Sequence, residues 1–184
     1  MRMRDETWSY LSRASGLVAW VLLGTACLWG VLLATRMLKP VDRPAWLLDL
    51  HRWLGALAVI ATGVHMTTLL PDPTVDWGWR EITVPHVETW RHSPRAWGVG
   101  AMYLLILVQV TSLLMRRIPR RWWHAVHLLS YLLFAAATVH GLQAGPDNAN
   151  IVVMVVIIGS TAILLFVCSV RVAFLRAKQL RRTA

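Results

Sequence analysis

Only two cysteines occur in the chain, and neither stands in a C-x-x-C-H. Cys27 and Cys168 both lie inside long apolar stretches, so neither a disulfide framework nor covalent haem attachment is indicated. A Rossmann fingerprint, a flavin domain and a P-loop are also missing, and there is no internal repeat or low-complexity tract. The N-terminus starts basic and turns apolar, as a signal peptide does. Its apolar run is too long for one, however, and has no clear A-x-A cleavage site, so it reads as a retained first helix. Charge is scarce: charged residues make up 15% of the chain against 57% hydrophobic, a balance that a soluble domain rarely shows. The net charge of +10 does not point to nucleic acid, because the basic residues cluster just outside the apolar runs.

What is present is a set of membrane-length segments. Residues 16–35, 96–115 and 151–170 carry no charge, and each is long enough to cross a hydrocarbon core of roughly 30 Å. Two further runs, at about 47–70 and 122–142, are equally apolar except for histidines and, near the start of the first, Asp49 and Arg52. The expected fold is therefore an all-α integral membrane protein, one domain over 1–184. It is a five-helix transmembrane bundle with helices at about 16–36, 47–70, 96–115, 122–142 and 151–172 and an outer loop at 71–95. The loop holds Trp77, Trp79 and Trp90, rings that favour the membrane interface, and is expected to lie there as a short re-entrant or amphipathic lid. Twelve Lys/Arg fall on the side of 36–43, 116–121 and the tail 171–182, against six on the side of the N-terminus and the long loop. The positive-inside rule then puts the C-terminus in the cytoplasm, the N-terminus outside, and the chain in the cell's inner (plasma) membrane as a multi-pass protein bathed in lipid.

An ionisable side chain inside a spanning helix is costly, roughly 2.5 to 3.5 kcal/mol for charged types, so each one marks a functional position by default. His51 and His65 are 14 residues apart, which is about 21 Å along a helix and only about 40° short of whole turns. They share a face at two depths. His127 and His140 are 13 apart, about 19.5 Å, and the helix that carries them runs parallel to the first, so each depth presents two imidazoles across the bundle. Opposed neutral imidazoles are what a six-coordinate haem iron needs when it only passes electrons. The 13-residue step leaves an ideal helix about 140° from whole turns, so a local irregularity or different azimuths of approach are expected there. Taken singly, each histidine could instead satisfy a buried polar partner or line a water path.

The segment RRIPRRWWHAVHLLSYLLFAAATVHGLQAG at 116–145, together with LHRWLGALAVIATGVH at 50–65, resembles the ferric reductase-like transmembrane domain. Ferric reductases, NADPH oxidases and the membrane subunit of a bacterial periplasmic methionine sulfoxide reductase system share that domain. The resemblance implies two non-covalent haems b, the inner held by His51 and His127 and the outer by His65 and His140, with those histidines as the iron ligands and none of them catalytic. It departs from the family's usual pattern in having five expected helices in place of six. It also has both histidines of the first pair, where the sulfoxide reductase subunit lacks one. About 14 residues follow the last apolar run. A stand-alone form without flavin and nicotinamide domains is thus expected, its electrons coming from a partner flavoprotein or a quinol and leaving for an external acceptor.

Anionic haem propionates favour cations at each membrane face, for which Arg52 and Arg121 are the inner candidates and Arg80 and Arg91 the outer ones. His124 is expected at the cytoplasmic interface beside a propionate, or else as the inner ligand in place of His127. His86 and His92 belong to the outer loop and read as ordinary surface residues. Trp46, Trp53, Trp122 and Trp123 read as interface anchors. Two other readings stay open: a quinol-linked cytochrome b, and a redox-inactive membrane scaffold or transporter whose histidines carry protons.

Overall fold

The computed structural model describes residues 2–35, 44–72, 77–84, 94–144 and 151–183. Among these the chain forms helices and turns only: α1 (Arg2–Thr35), α2 (Pro44–Leu69), α3 (Trp79–Thr83), α4 (Pro94–Leu113), α5 (Arg120–Ala144) and α6 (Ile151–Thr183). Helices follow from the solvent, because a chain crossing hydrocarbon must pair every backbone N–H and C=O within its own segment. Pro44 and Pro94 each open a helix, where the missing N–H costs nothing. The scattered Ser and Thr hydroxyls satisfy themselves on carbonyls one turn back, as Thr25 does on Val21, Thr62 on Ala58 and Thr111 on Leu107.

Among the described residues, four helices are long and apolar enough to cross a membrane: Glu6–Ala34, Ala45–Leu69, Pro94–Leu113 and Arg120–Ala144. The fifth expected span falls in α6, whose described side chains include the shorter apolar stretch Met154–Val167. Two helices overrun their apolar runs: α1 already starts at Arg2, and α6 continues through the basic tail to Thr183. Large apolar side chains such as Ile60, Leu132 and Phe166 are more than half exposed, which suits a surface facing lipid tails.

The four helices pair into two hairpins, α1 with α2 and α4 with α5, and these are by far the most extensive packings in the molecule. Both hairpins are antiparallel, because Ser12 meets His65 while Ala26 meets His51, and Pro94 meets His140 while Ser112 meets His127. Between the hairpins, α2 faces α5 in parallel but scarcely touches it through the backbone. An apolar plug of Leu23, Cys27, Leu105, Leu133, Phe134 and Leu164 joins the hairpins to α6. Within it Phe134 stacks on Trp20 with centroids 5.6 Å apart. In sequence, Leu23 of α1, Leu105 of α4 and Leu133 and Phe134 of α5 lie between the positions that contact the two histidine levels.

Within the expected outer loop lies α3, one turn of helix capped by Glu81, whose carboxylate accepts the Gly78 N–H at 2.9 Å. Hydrogen bonds from the backbone N–H of Glu81 itself, and then from Gly78, hold this carboxyl below its ordinary pKa. Tyr103 on α4 donates its hydroxyl to the Thr83 carbonyl at 2.8 Å and ties the turn to the bundle. Trp90, His86, His92 and Arg91 lie outside the described residues.

Candidate functional site

The expected pairs come together across the gap between α2 and α5. The His51 and His127 rings have centroids 5.9 Å apart at an interplanar angle of 68°. The His65 and His140 rings stand 6.2 Å apart at 70°. Two imidazoles bound to one metal through facing nitrogens at about 2.0 Å, each ring centre about 1.1 Å behind its nitrogen, have centroids roughly 6 Å apart. Both pairs therefore have the spacing of two axial ligands. Because α5 is helical without a break from Arg120 to Ala144, its two imidazoles leave it at different azimuths. The 13-residue step is thus met without a bulge, by rings that approach their partners from different sides.

The Nδ1 atoms fix which nitrogen faces outward. His51 Nδ1 donates to the Ala26 carbonyl at 3.1 Å, His65 Nδ1 to the Ser12 carbonyl at 2.8 Å, and His140 Nδ1 to the Pro94 carbonyl at 2.8 Å. A carbonyl can only accept, so each of these neutral rings carries its proton on Nδ1 and keeps the Nε2 lone pair free. His127 Nδ1 meets the Ser112 hydroxyl at 3.3 Å, and that hydroxyl itself donates to the Val108 carbonyl at 2.7 Å, which leaves its oxygen to accept. A metal-ligating histidine is held in this way, its second nitrogen anchored to a backbone or side-chain acceptor.

Close helix contact is what lets the rings reach those carbonyls. A Cβ at Gly98 would lie 2.8 Å from the His140 ring, one at Gly16 would lie 3.0 Å from His65, and one at Gly30 would lie 3.3 Å from His51. None of these three glycines stands out in the sequence, since their role depends on which helix lies opposite.

Beside His65 and His140 is a cavity of about 330 Å³, lined also by Trp20, Thr138, Asp72, Arg13 and Arg95. Of the two arginines expected here, Arg91 lies outside the described residues. Arg80 is exposed and does not line it, whereas Arg95, also stacked over Trp77 at 5.4 Å, and Arg13 do. Near the other pair, Arg52 forms a 3.2 Å ion pair with Asp49 in which both side chains are more than half exposed. Arg121 is exposed over the Trp122 ring at 5.8 Å. His124 is exposed, its ring 6.2 Å from that of Trp123. Trp46, Trp53 and Trp122 are exposed as anchors should be, but Trp123 turns inward and stacks on His127 at 5.1 Å and 25°. The indole N–H groups of Trp123 and Trp29 are buried without a hydrogen-bond acceptor.

Among the described residues no three His, Cys, Asp or Glu side chains gather to hold a bare metal ion. Two imidazoles per level suit a metal whose other four positions are supplied by a macrocycle. The orphaned indole donors suit an acceptor brought by the same group.

Comparison with known families matches the chain to the model described as ferric reductase like transmembrane component, over residues 15–138. It spans two thirds of the chain, from Ser15, just before the Gly16 contact, to Thr138, two residues short of His140. Neither the curated proteins nor the solved structures give a significant match.

Proposed function

The chain belongs to the family of ferric reductase like transmembrane components, and we propose that it is a di-haem b protein that passes electrons across the membrane. His51 and His127 would hold one haem and His65 and His140 the other. The observation that carries this reading is the double pair of rings at 5.9 and 6.2 Å, every Nδ1 hydrogen-bonded away from the gap. A bound haem supplies one-electron chemistry, its iron alternating between ferric and ferrous.

The residues around the pairs do the rest. Carbonyls of Ala26, Ser12 and Pro94 and the Ser112 hydroxyl orient the imidazoles and keep Nε2 unprotonated. With one imidazole from α2 and one from α5 at each level, these histidines would leave a bound haem no open position for a substrate, which suits electron transfer rather than chemistry at the metal. Arg13 and Arg95 are the cations beside the His65 and His140 pair, and the Trp29 and Trp123 indoles are the free donors near the other, each matched to anionic propionates. The plug around Phe134 keeps water out of the space between the two levels.

Charge asymmetry supports an orientation with the His51 and His127 pair toward the cytoplasm and the C-terminus inside the cell. Electrons would enter there from a flavoprotein or a quinol and leave outward to ferric iron, oxygen or an external protein. A negative cell interior favours that direction by about 2.3 kcal/mol per 100 mV over the full span.

The test is the spectrum of the full chain purified after expression with ample haem. A b-type alpha band on dithionite reduction is expected, and a colourless protein would overturn the reading. Reduction by a quinol analogue or by a flavin reductase then identifies the class of donor.

A further inference from the structure

Three of the four histidines are anchored by one repeated device. In each, the accepting carbonyl belongs to a residue four positions before a glycine: Ser12 before Gly16, Ala26 before Gly30, Pro94 before Gly98. The reason is helical geometry. A Cβ leans toward the N-terminus of its helix, so a side chain four residues on stands over that carbonyl and, at these positions, would run into the imidazole. Glycine leaves the carbonyl's second lone pair open to the Nδ1–H.

The fourth position breaks the rule. Ala26 follows Ser12 by 14 residues, and Val108 follows Pro94 by the same 14, so Val108 is the carbonyl the pattern calls for on α4. Four residues after it stands Ser112, not glycine. Its hydroxyl fills the gap, donates to Val108 at 2.7 Å and receives the His127 Nδ1–H at 3.3 Å, longer than the 2.8 to 3.1 Å of the three direct bonds.

We propose that Ser112 is a positioning residue that makes the His51 and His127 haem electronically unlike its neighbour, by placing a hydroxyl between His127 and the carbonyl its three counterparts use directly. The proposal rests on the di-haem reading. A strong acceptor on Nδ1–H draws the ring toward imidazolate and raises its basicity as a ligand, which favours the ferric state. The longer bond to a hydroxyl draws less, so His127 is the least anionic of the four ligands. Relative to an all-carbonyl arrangement, the haem it holds has its potential raised.

Three substitutions test this in the full-length haem-loaded protein, read by redox titration of the two alpha bands. Ser112→Gly opens the Val108 carbonyl to His127 and should lower the potential of that haem alone. Ser112→Ala keeps the carbonyl covered but removes the acceptor, so the potential should rise. Ser112→Thr retains a hydroxyl and should restore the wild-type value. Equal potentials in wild type, Gly and Ala variants that all hold two haems would overturn the proposal, as would a shift confined to the other haem. Should the variants lose the haem, the unmodified protein still decides: redox-difference infrared spectra with ring-labelled histidine should resolve one weakly bonded Nδ1–H among four, and four equivalent ones would contradict it. A wild-type protein without any haem fails the di-haem reading instead, so the two failures are distinct.

Discussion

A histidine in a lipid-spanning helix is noticed because it is expensive, and four of the five such residues face one another in pairs, the exposed His124 near the start of α5 being the exception. On the proposed ligation, His65→Ala or His140→Ala should remove one haem and leave the other spectroscopically intact, and His51→Ala or His127→Ala should do the converse. Haem per chain and the surviving alpha band check this. Retention of both haems by His127→Ala, with loss of one in His124→Ala, would reassign the ligand. Glycines make a sharper contrast. Gly98→Ala pushes a methyl to 2.8 Å from the His140 ring, an overpacking worth about 1 to 3 kcal/mol, and should displace that haem. Gly63→Ala meets nothing within 4 Å and should keep both haems with an unchanged melting temperature or a slightly higher one. The histidines were legible in the sequence because their cost is local. Gly16, Gly30, Gly98, Ser112 and the accepting carbonyls were not, because each acts on a residue of another helix whose register no local pattern records. Arg13 and Arg95 were read as topology and loop charges, and only the fold brings both to the cavity.

At the scale of the element, the apolar runs located the spanning helices but not their ends. Helix α1 extends to Arg2 and α6 to Thr183 because a helix needs satisfied backbone groups and not apolar side chains, so it continues past the hydrocarbon boundary. The loop was expected to form a short re-entrant or amphipathic lid, but the bounds of the single turn α3 within it could not be read, because five residues show no periodicity. Its cap makes a pH prediction. Glu81 has a lowered pKa in the folded chain, so its contribution is complete above the ordinary carboxylate value and fades as pH falls through the lowered one. The protection factor of the Gly78 amide, its exchange rate taken relative to the intrinsic rate at each pH, should be high at neutral pH and fall on acidification, and Glu81→Gln should flatten that profile. A Gly78 amide equally protected across the acidic range would show that the cap is not held by the carboxylate. In α5 the 13-residue spacing left open a local irregularity or different azimuths of approach, and the unbroken helix sends its two imidazoles out at different azimuths.

For the whole molecule, the decisive arrangement is two antiparallel hairpins that pack tightly within themselves and loosely against each other. Each hairpin anchors its own histidines, so the gap between α2 and α5 is bridged only by side chains. The proposed orientation is checked with single cysteines. In a background lacking Cys27 and Cys168, Val84→Cys on the loop should react with a membrane-impermeant thiol reagent added to intact cells. Labelling only after lysis would invert the topology. The central claim is that each level of the bundle clasps one haem between two imidazoles. Electron paramagnetic resonance of the oxidised wild-type protein, with haem counted per chain, tests it most directly. Two low-spin ferric signals per chain, each strongly anisotropic as the steep 68° and 70° ring angles demand, are predicted. A single haem, or a high-spin signal from an iron with an open axial position, would contradict it.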